Sequence, residues 1–490
     1  TGVQTCALPI WCFDVKFRQI CAAALAAVVL VSGCSKPGTE SVDKYTRDGE
    51  GRVIPISDEY IPANYTPRSD DWSVMLREIP GSFGQETDKL IPAVYLTTSD
   101  PSAIIKEDYA DCTVQIDAGM TNGRYESTEA LTGKIRGRGH STWEWPKKPY
   151  KIKLDDKASL LGMSEAKRWV LLANYADESM LRNTTAFEMA RSLGSFRFVP
   201  HAIPVDVYMN GICQGVYTLG EQLEVKTSRI AIDDSLANVE TGYLLEIGGA
   251  DPSTDKEGWN YFNLPSGCGV NIKIKSPDTE EDPQADYQWT QKHFDFIYDY
   301  MCKADAAITT LDGYEKYINV DSFIDWFLVH ELSYNLDSCF RRSCYITKPT
   351  LSRLEMGPIW DFDLAFGNMY MDNPKYDDWA TIGSMDSSSY IGVTWFNYLM
   401  TDEDFRNKAR TRWNDVRDTM VNAALGTIDA YKPMVIPSAE ENFEIWNTLG
   451  VANGFQPLTM KNCNTYLDQV LYLRKFINNR AKWIEIGRAS

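Results

Sequence analysis

Apolar and polar residues alternate in short runs through the first half of the chain and recur at helical spacing through much of the second. Leu90 to Leu96 reads as a strand, Cys112 to Ile116 alternates as a second, and Leu131 to Ile135 as a third. In Tyr150-Lys151-Ile152-Lys153-Leu154 the apolar side chains face one way and the two lysines the other, because successive strand side chains leave opposite faces. Two lysines on one face serve either a solvated surface or a shared anion site. Glu178 to Leu193 has helical composition and stops at Gly194, a residue suited to a left-handed C-terminal cap. Val205 to Met209 and Ile212 to Tyr217 flank Asn210-Gly211, a pair that tolerates the positive φ of a tight hairpin turn.

Residues 226–282 are mixed, with short strands at Tyr243-Leu244-Leu245 and Asn271 to Ile274. Helical patterns then dominate: Ala285 to Lys303, and Ser322 to Tyr334, which is too apolar for a surface helix. A third opens in capping-box fashion at Thr401 with Asp404 and keeps Phe405, Ala409, Trp413, Val416 and Met420 on one stripe. A last runs from Thr465 to Trp483. This segregation predicts an α+β protein with a sheet-rich N-terminal lobe over 86–225 and a helical C-terminal lobe over 226–484. A cleft between such lobes is a natural ligand site.

The ends stand apart. Thr1 to Ile10 and Glu485 to Ser490 resemble translated sequencing-adapter reads and are set aside. Residues 11–34 read as an export signal: Lys16 and Arg18 are basic, and Ile20 to Val31 is apolar but short for a bilayer. Val31-Ser32-Gly33-Cys34 places small residues before a cysteine, as bacterial lipoprotein processing requires. The expectation is a lipid anchor on Cys34 that holds the protein to a membrane of the bacterial cell envelope, outside the cytoplasm. Residues 35–85 are a polar tether.

A net charge of −19 argues against a nucleic-acid partner, whose backbone it would repel. It leaves room for a phosphate-rich ligand screened by a cation and local basic residues. Beyond Cys34 the cysteines are scattered, no Cys-x-x-Cys pair occurs, and only four histidines are present, which argues against a structural zinc site. In an exported protein those cysteines are either disulfides or buried thiols.

Two stretches carry chemistry. Arg136-Gly137-Arg138-Gly139-His140-Ser141-Thr142-Trp143 is a basic, Gly-rich turn, which serves either a structural turn or a phosphate cradle. Trp360-Asp361-Phe362-Asp363-Leu364-Ala365-Phe366-Gly367-Asn368 sets two carboxylates at i and i+2 among large apolar residues, either an acidic turn or a loop rigid enough to hold a hard cation. Between them come Lys153, a helix with Glu188, a hairpin, the Gly220-Glu221-Gln222 segment, and a buried helix ending at Asn335-Leu336-Asp337. That is the order of parts in a protein kinase.

With Pro146 to Leu154, Trp169 to Tyr175, Leu181-Arg182-Asn183, Gly215 to Glu224, Gly242 to Glu246, Ile274 to Asp278 and Met356 to Asn368, the chain resembles the spore-coat protein H (CotH) kinase family. The resemblance implies an atypical protein-kinase-like two-lobe fold that uses ATP with Mg2+ or Mn2+. It implies that Asp337 is the catalytic aspartate, that Asp361 binds metal, and that Asp363 is a second ligand or stabilises the loop. Lys153, or else Lys151, is expected at the phosphates with Arg136 and Arg138 nearby. Glu188 is expected to pair with the lysine, and Glu221 and Gln222 to face adenine. Five residues after Asp337, where protein kinases carry Asn, this chain has Arg342. The function expected is transfer of the ATP γ-phosphoryl group to Ser or Thr of exported or surface proteins. The alternative is a kinase-fold surface binding protein, an adhesin or scaffold, that is catalytically weak or inactive.

Overall fold

The computed structural model describes residues 89–487 apart from 122, 281, 370–376, 384–391 and 453–454. The expected export signal, Cys34, the tether and the last residues, 488–490, lie outside the described residues.

Seven strands form a closed barrel: β1 (Ala93–Thr97), β2 (Ala110–Asp117), β3 (Leu131–Gly137), β4 (Tyr150–Ala158), β5 (Ala166–Leu172), β6 (Ala202–Met209) and β7 (Ile212–Glu221). Their order is β1-β2-β3-β4-β5-β7-β6, and the barrel closes where β6 runs parallel to β1, Val94 facing Val207. Alternation decides which residues fill it. Val94, Val114, Ile135, Ile152, Trp169, Val205 and Leu219 are buried inside, while Lys153 on the other face of β4 is exposed. The β6–β7 hairpin turns through Asn210 (φ 49°) and Gly211 (φ 79°), with Met209 opposite Ile212, as the Asn-Gly pair predicts.

Helix α1 (Arg182–Arg191) crosses between β5 and β6. It starts four residues later than its composition suggests, because Asp177 takes the N-terminal turn: Arg182 N donates to Asp177 Oδ2 at 2.9 Å. A second, antiparallel sheet follows, in the order β12-β11-β8-β10-β9. Its strands are β8 (Tyr243–Ile247), β9 (Tyr261–Phe262), β10 (Ile272–Ser276), β11 (Cys344–Lys348) and β12 (Glu355–Met356).

Around it lie α2 (Gln291–Thr310), α3 (Val320–Ser333), α4 (Trp395–Leu399), α5 (Glu403–Ile445) and α6 (Tyr466–Gly487). Helix α3 is buried throughout except at Asp321, as its apolar run requires. Helix α5 spans 43 residues and continues through Pro433 and Pro437. Packing against α1, β7 and α6 sustains it where helix propensity alone would stop it.

The fold is thus mixed α and β, sheet-rich first and helical later. It differs from the expectation in two ways: the first sheet closes on itself, and the helical half carries a sheet of its own. All seven cysteines of the described residues are free thiols. No described helix is long and apolar enough to cross a membrane.

Candidate active site

The loop from Gly357 to Asn368 is built around its aromatic residues. Phe362 is buried and meets Phe187 of α1 edge-on at 6.2 Å, while Trp360 stacks on the same ring at 5.7 Å. With Phe362 anchored inward, Asp361 and Asp363 are left on the opposite side. Neighbouring elements bind the backbone. Phe362 N donates to Asn183 Oδ1 at 2.8 Å, Asn335 Nδ2 donates to the Asp361 carbonyl at 3.0 Å, and Phe366 N donates to the Ser333 carbonyl at 2.6 Å. Asp361 itself adopts φ 69°, a left-handed conformation that a non-glycine residue holds only under such constraint.

Behind the loop, fully buried Arg182 joins Asp177 at 2.5 Å and donates from Nε to the Ala365 carbonyl at 3.2 Å. Arg182→Ala strands the Asp177 carboxylate in the interior. It is expected to cost about 3–5 kcal/mol in a urea unfolding titration, the usual penalty for breaking a buried pair.

Asp337 lies in the turn that follows α3, some two dozen residues before Asp361. The three carboxyls are near enough to act on one another's charge. Burial raises the Asp363 carboxyl well above its usual range, and the charges of Asp361, Asp337 and Asp177 raise it further. Asp361 is raised by burial and by Asp337, against the pull of a 2.9 Å hydrogen bond from Ser343 Oγ and of Arg138. Among the described residues no group of three or more His, Cys, Asp or Glu side chains is placed to hold a metal ion by itself. Magnesium asks for less, since it takes most of its oxygens from phosphates and water.

The facing wall is basic. Arg136 on β3 stands directly opposite Lys151 on β4, a like-charge pair that a sheet does not favour by itself. The Lys151 ammonium is pushed down to about 8, first by burial and then by Arg136, Arg168, Arg138 and Lys275. Arg136 Nε is buried without a hydrogen-bond partner. Arg138 joins the two walls. Burial depresses its guanidinium, while Asp361, Tyr345, Asp363 and Glu246 hold its charge in place. The turn after β3 is tight: a Cβ on Gly137 would lie 2.4 Å from the Trp143 ring, so only glycine fits there.

An acidic trio and a basic wall thus act on one another through Arg138, while Arg136 also donates to the Lys106 carbonyl at 3.3 Å and lies over the Tyr109 ring at 4.8 Å. The sequence description "CotH kinase protein" matches residues 135–484. The chain belongs to the CotH kinase family. A kinase-like function goes with that membership, and every residue of the two walls named above lies within the matched stretch. No curated protein matches the chain in sequence.

In this CotH kinase family chain the expected site residues divide. Arg136, Arg138, Lys151, Asp337, Asp361 and Asp363 come together. Lys153 does not join them; it is exposed and stands opposite Lys134 on the outer barrel wall. Glu188 meets Arg191 at 3.4 Å rather than a lysine, and its charge reaches Tyr431 because that face of α1 packs on α5. Glu221 is buried in an ion pair with Arg229 and accepts from the His201 backbone N–H at 2.8 Å. Gln222 Nε2 donates to the Leu223 carbonyl at 3.1 Å. These contacts occupy the carboxylate of Glu221 within the chain itself.

Sequence reasoning missed Glu246, Tyr345, Lys275 and Arg168. The first three come from the second sheet; the signal for Glu246 and Lys275 lay in the family-like segments 242–246 and 274–278, and none pointed to Tyr345.

Proposed function

We propose that this chain is an ATP-dependent phosphotransferase that moves the γ-phosphoryl group to a Ser or Thr hydroxyl of an exported or surface protein. The observation that carries the reading is the pairing of two like-charged clusters. Asp337, Asp361 and Asp363 repel one another until a cation sits among them. Arg136, Arg138 and Lys151 repel one another until a polyanion does. A magnesium or manganese complex of a nucleoside triphosphate would answer both at once, the ion taking one or two of these carboxylates and its other oxygens from phosphate and water.

In this reading Asp361 holds the metal and Asp363 either shares it or stiffens the loop. When bound there, the ion would supply positive charge against the phosphates. Arg138 and Lys151 bind and orient the triphosphate, with Arg136 supporting Lys151 in register. Asp337 accepts the proton of the acceptor hydroxyl. The hydroxyl oxygen forms its bond to the γ-phosphorus as the bond to the β–γ bridging oxygen breaks, and the nucleoside diphosphate leaves. Positioned charge does most of this work, because phosphoryl transfer asks for little covalent help.

Arg342, exposed five residues after Asp337, favours a second reading. Without the Asn that protein kinases use for a second metal, the site would bind nucleotide yet transfer slowly, and the chain would act as a surface binding protein. A lipid anchor at Cys34 and an envelope location complete the proposal for either reading, on the sequence pattern alone.

The test is a titration of the full chain with ATP and Mg2+ or Mn2+, followed by thermal unfolding and by label transfer from γ-labelled ATP. Nucleotide at 100-fold over Kd is expected to stabilise by about 2.7 kcal/mol. A shift without transfer favours the binding-protein reading. No shift at millimolar nucleotide overturns the phosphotransferase and leaves the surface adhesin or scaffold.

A further inference from the structure

A kinase-like site needs a lysine set by a carboxylate, yet Glu188 and Lys153 do not meet. The second sheet supplies an ion pair of its own. Lys275 Nζ lies 2.9 Å from Glu246 Oε2, and Tyr345 OH donates to Glu246 Oε1 at 3.0 Å. The three residues sit on adjacent strands, β10, β8 and β11, with Glu246 directly opposite Tyr345.

Lys275 is the extra residue of a β-bulge. Ile274 pairs with Leu245 and Ser276 with the next residue, Leu244, so Lys275 has no partner across the ladder. Bulges re-aim side chains and recur beside active sites. The sheet is also fixed to the turn that carries Asp337. Gly248, just past β8, approaches the Arg341 carbonyl so closely that a Cβ there would lie 1.8 Å from it.

We propose that Lys275, aimed by Glu246 and Tyr345, is a phosphate-binding cation of the second wall and replaces the helix-borne lysine–glutamate pair of ordinary protein kinases. Three observations support the assignment. The Lys275 charge reaches Lys151, so the two ammonium groups lie near enough to interact. Glu246 is felt by Arg138 and Asp361, which places the pair beside the cation loop. The pair is partly exposed, a setting in which an ion pair contributes little to folding, so stability does not account for the bulge that builds it. Glu246 acts through Lys275 and is therefore a positioning residue.

The inference rests on the phosphotransfer reading, and the experiment separates the two. Calorimetric titration of the full chain with Mg2+ and ATP gives Kd for wild type, Lys275→Met, Lys275→Arg, Glu246→Gln, Lys153→Met and Glu188→Gln. Thermal unfolding without nucleotide is run alongside. Lys275→Met keeps the apolar stem and is expected to fold normally and bind at least tenfold more weakly. Lys275→Arg is expected to recover most of that loss, and Glu246→Gln to lose three- to tenfold. Lys153→Met and Glu188→Gln are expected to stay within twofold of wild type. Wild-type binding that Lys275→Met leaves within twofold overturns this assignment alone, as does Glu188→Gln matching the loss in Glu246→Gln. Wild type that binds no nucleotide overturns the phosphotransfer reading, and the role of Lys275 with it.

Discussion

Asp361→Asn is expected to abolish phosphoryl transfer and, at the same time, to stabilise the nucleotide-free protein. Both effects have one cause. The Asp361 carboxylate is recessed, sits against Asp337 and Asp363, and is held in a left-handed backbone conformation by its neighbours. A neutral amide of the same shape removes the repulsion and keeps the hydrogen-bonding geometry. We expect a gain of about 0.5–2 kcal/mol in urea unfolding, the scale of a functional trade-off. Turnover should fall by about 10³-fold or more, because a charge aimed at the transferring group is lost.

The pH dependence follows from the direction of the shifts. Both loop carboxyls are raised in the folded protein above an ordinary value of 3.8. Their favourable contribution to folding is therefore complete below that pH and is lost as pH rises through the raised folded values. Wild type without nucleotide should lose stability over that window, and Asp361→Asn should lose less. Glu178, buried and raised to about 8, contributes a slope of the same sign in both proteins, so the difference between them isolates the loop. Added Mg2+ and ATP should flatten the wild-type slope by holding the carboxylates ionised.

Asp337→Ala is the second large effect, and it should separate chemistry from binding. As the proton acceptor, Asp337 contributes about 10²–10⁴-fold to kcat. Its removal should leave the nucleotide-induced stabilisation within a few-fold of wild type, since the basic wall and Asp361 remain. Stopped transfer with retained binding is the expected pair of results in label-transfer and thermal-shift assays. Transfer at the wild-type rate in Asp337→Ala contradicts the assignment of the base.

Local chemistry made some of this legible in advance. Asn210-Gly211 could make only a tight turn, and Phe362 between two aspartates could only point inward and leave both carboxyls outward. The barrel's closure was not legible. It depends on β1 finding β6 across more than a hundred residues, and nothing in Ala93 to Leu96 names that partner. Strand β5 was hidden because Trp169, Val170 and Leu171 are all buried, which erases alternation.

The site divides along the same line. Asp337 and Asp361 could be put forward together because the order of parts along a chain survives in its sequence. Glu188 could not be placed, since sequence order does not say which face of α1 packs on α5. Lys275 could not be found either. A bulge changes the direction of a side chain without changing the composition around it.

The most direct measurement is a crystal structure of the full chain with Mn2+ and a non-hydrolysable ATP analogue, the metal located by its anomalous signal. The account predicts one manganese bound by the Asp361 carboxylate and by phosphate oxygens at about 2.0–2.2 Å. It also predicts the triphosphate against Arg138 and Lys151, with Asp337 facing the γ-phosphate. A manganese peak away from Asp361, or a nucleotide that leaves the Arg138–Lys151 wall bare, would contradict it.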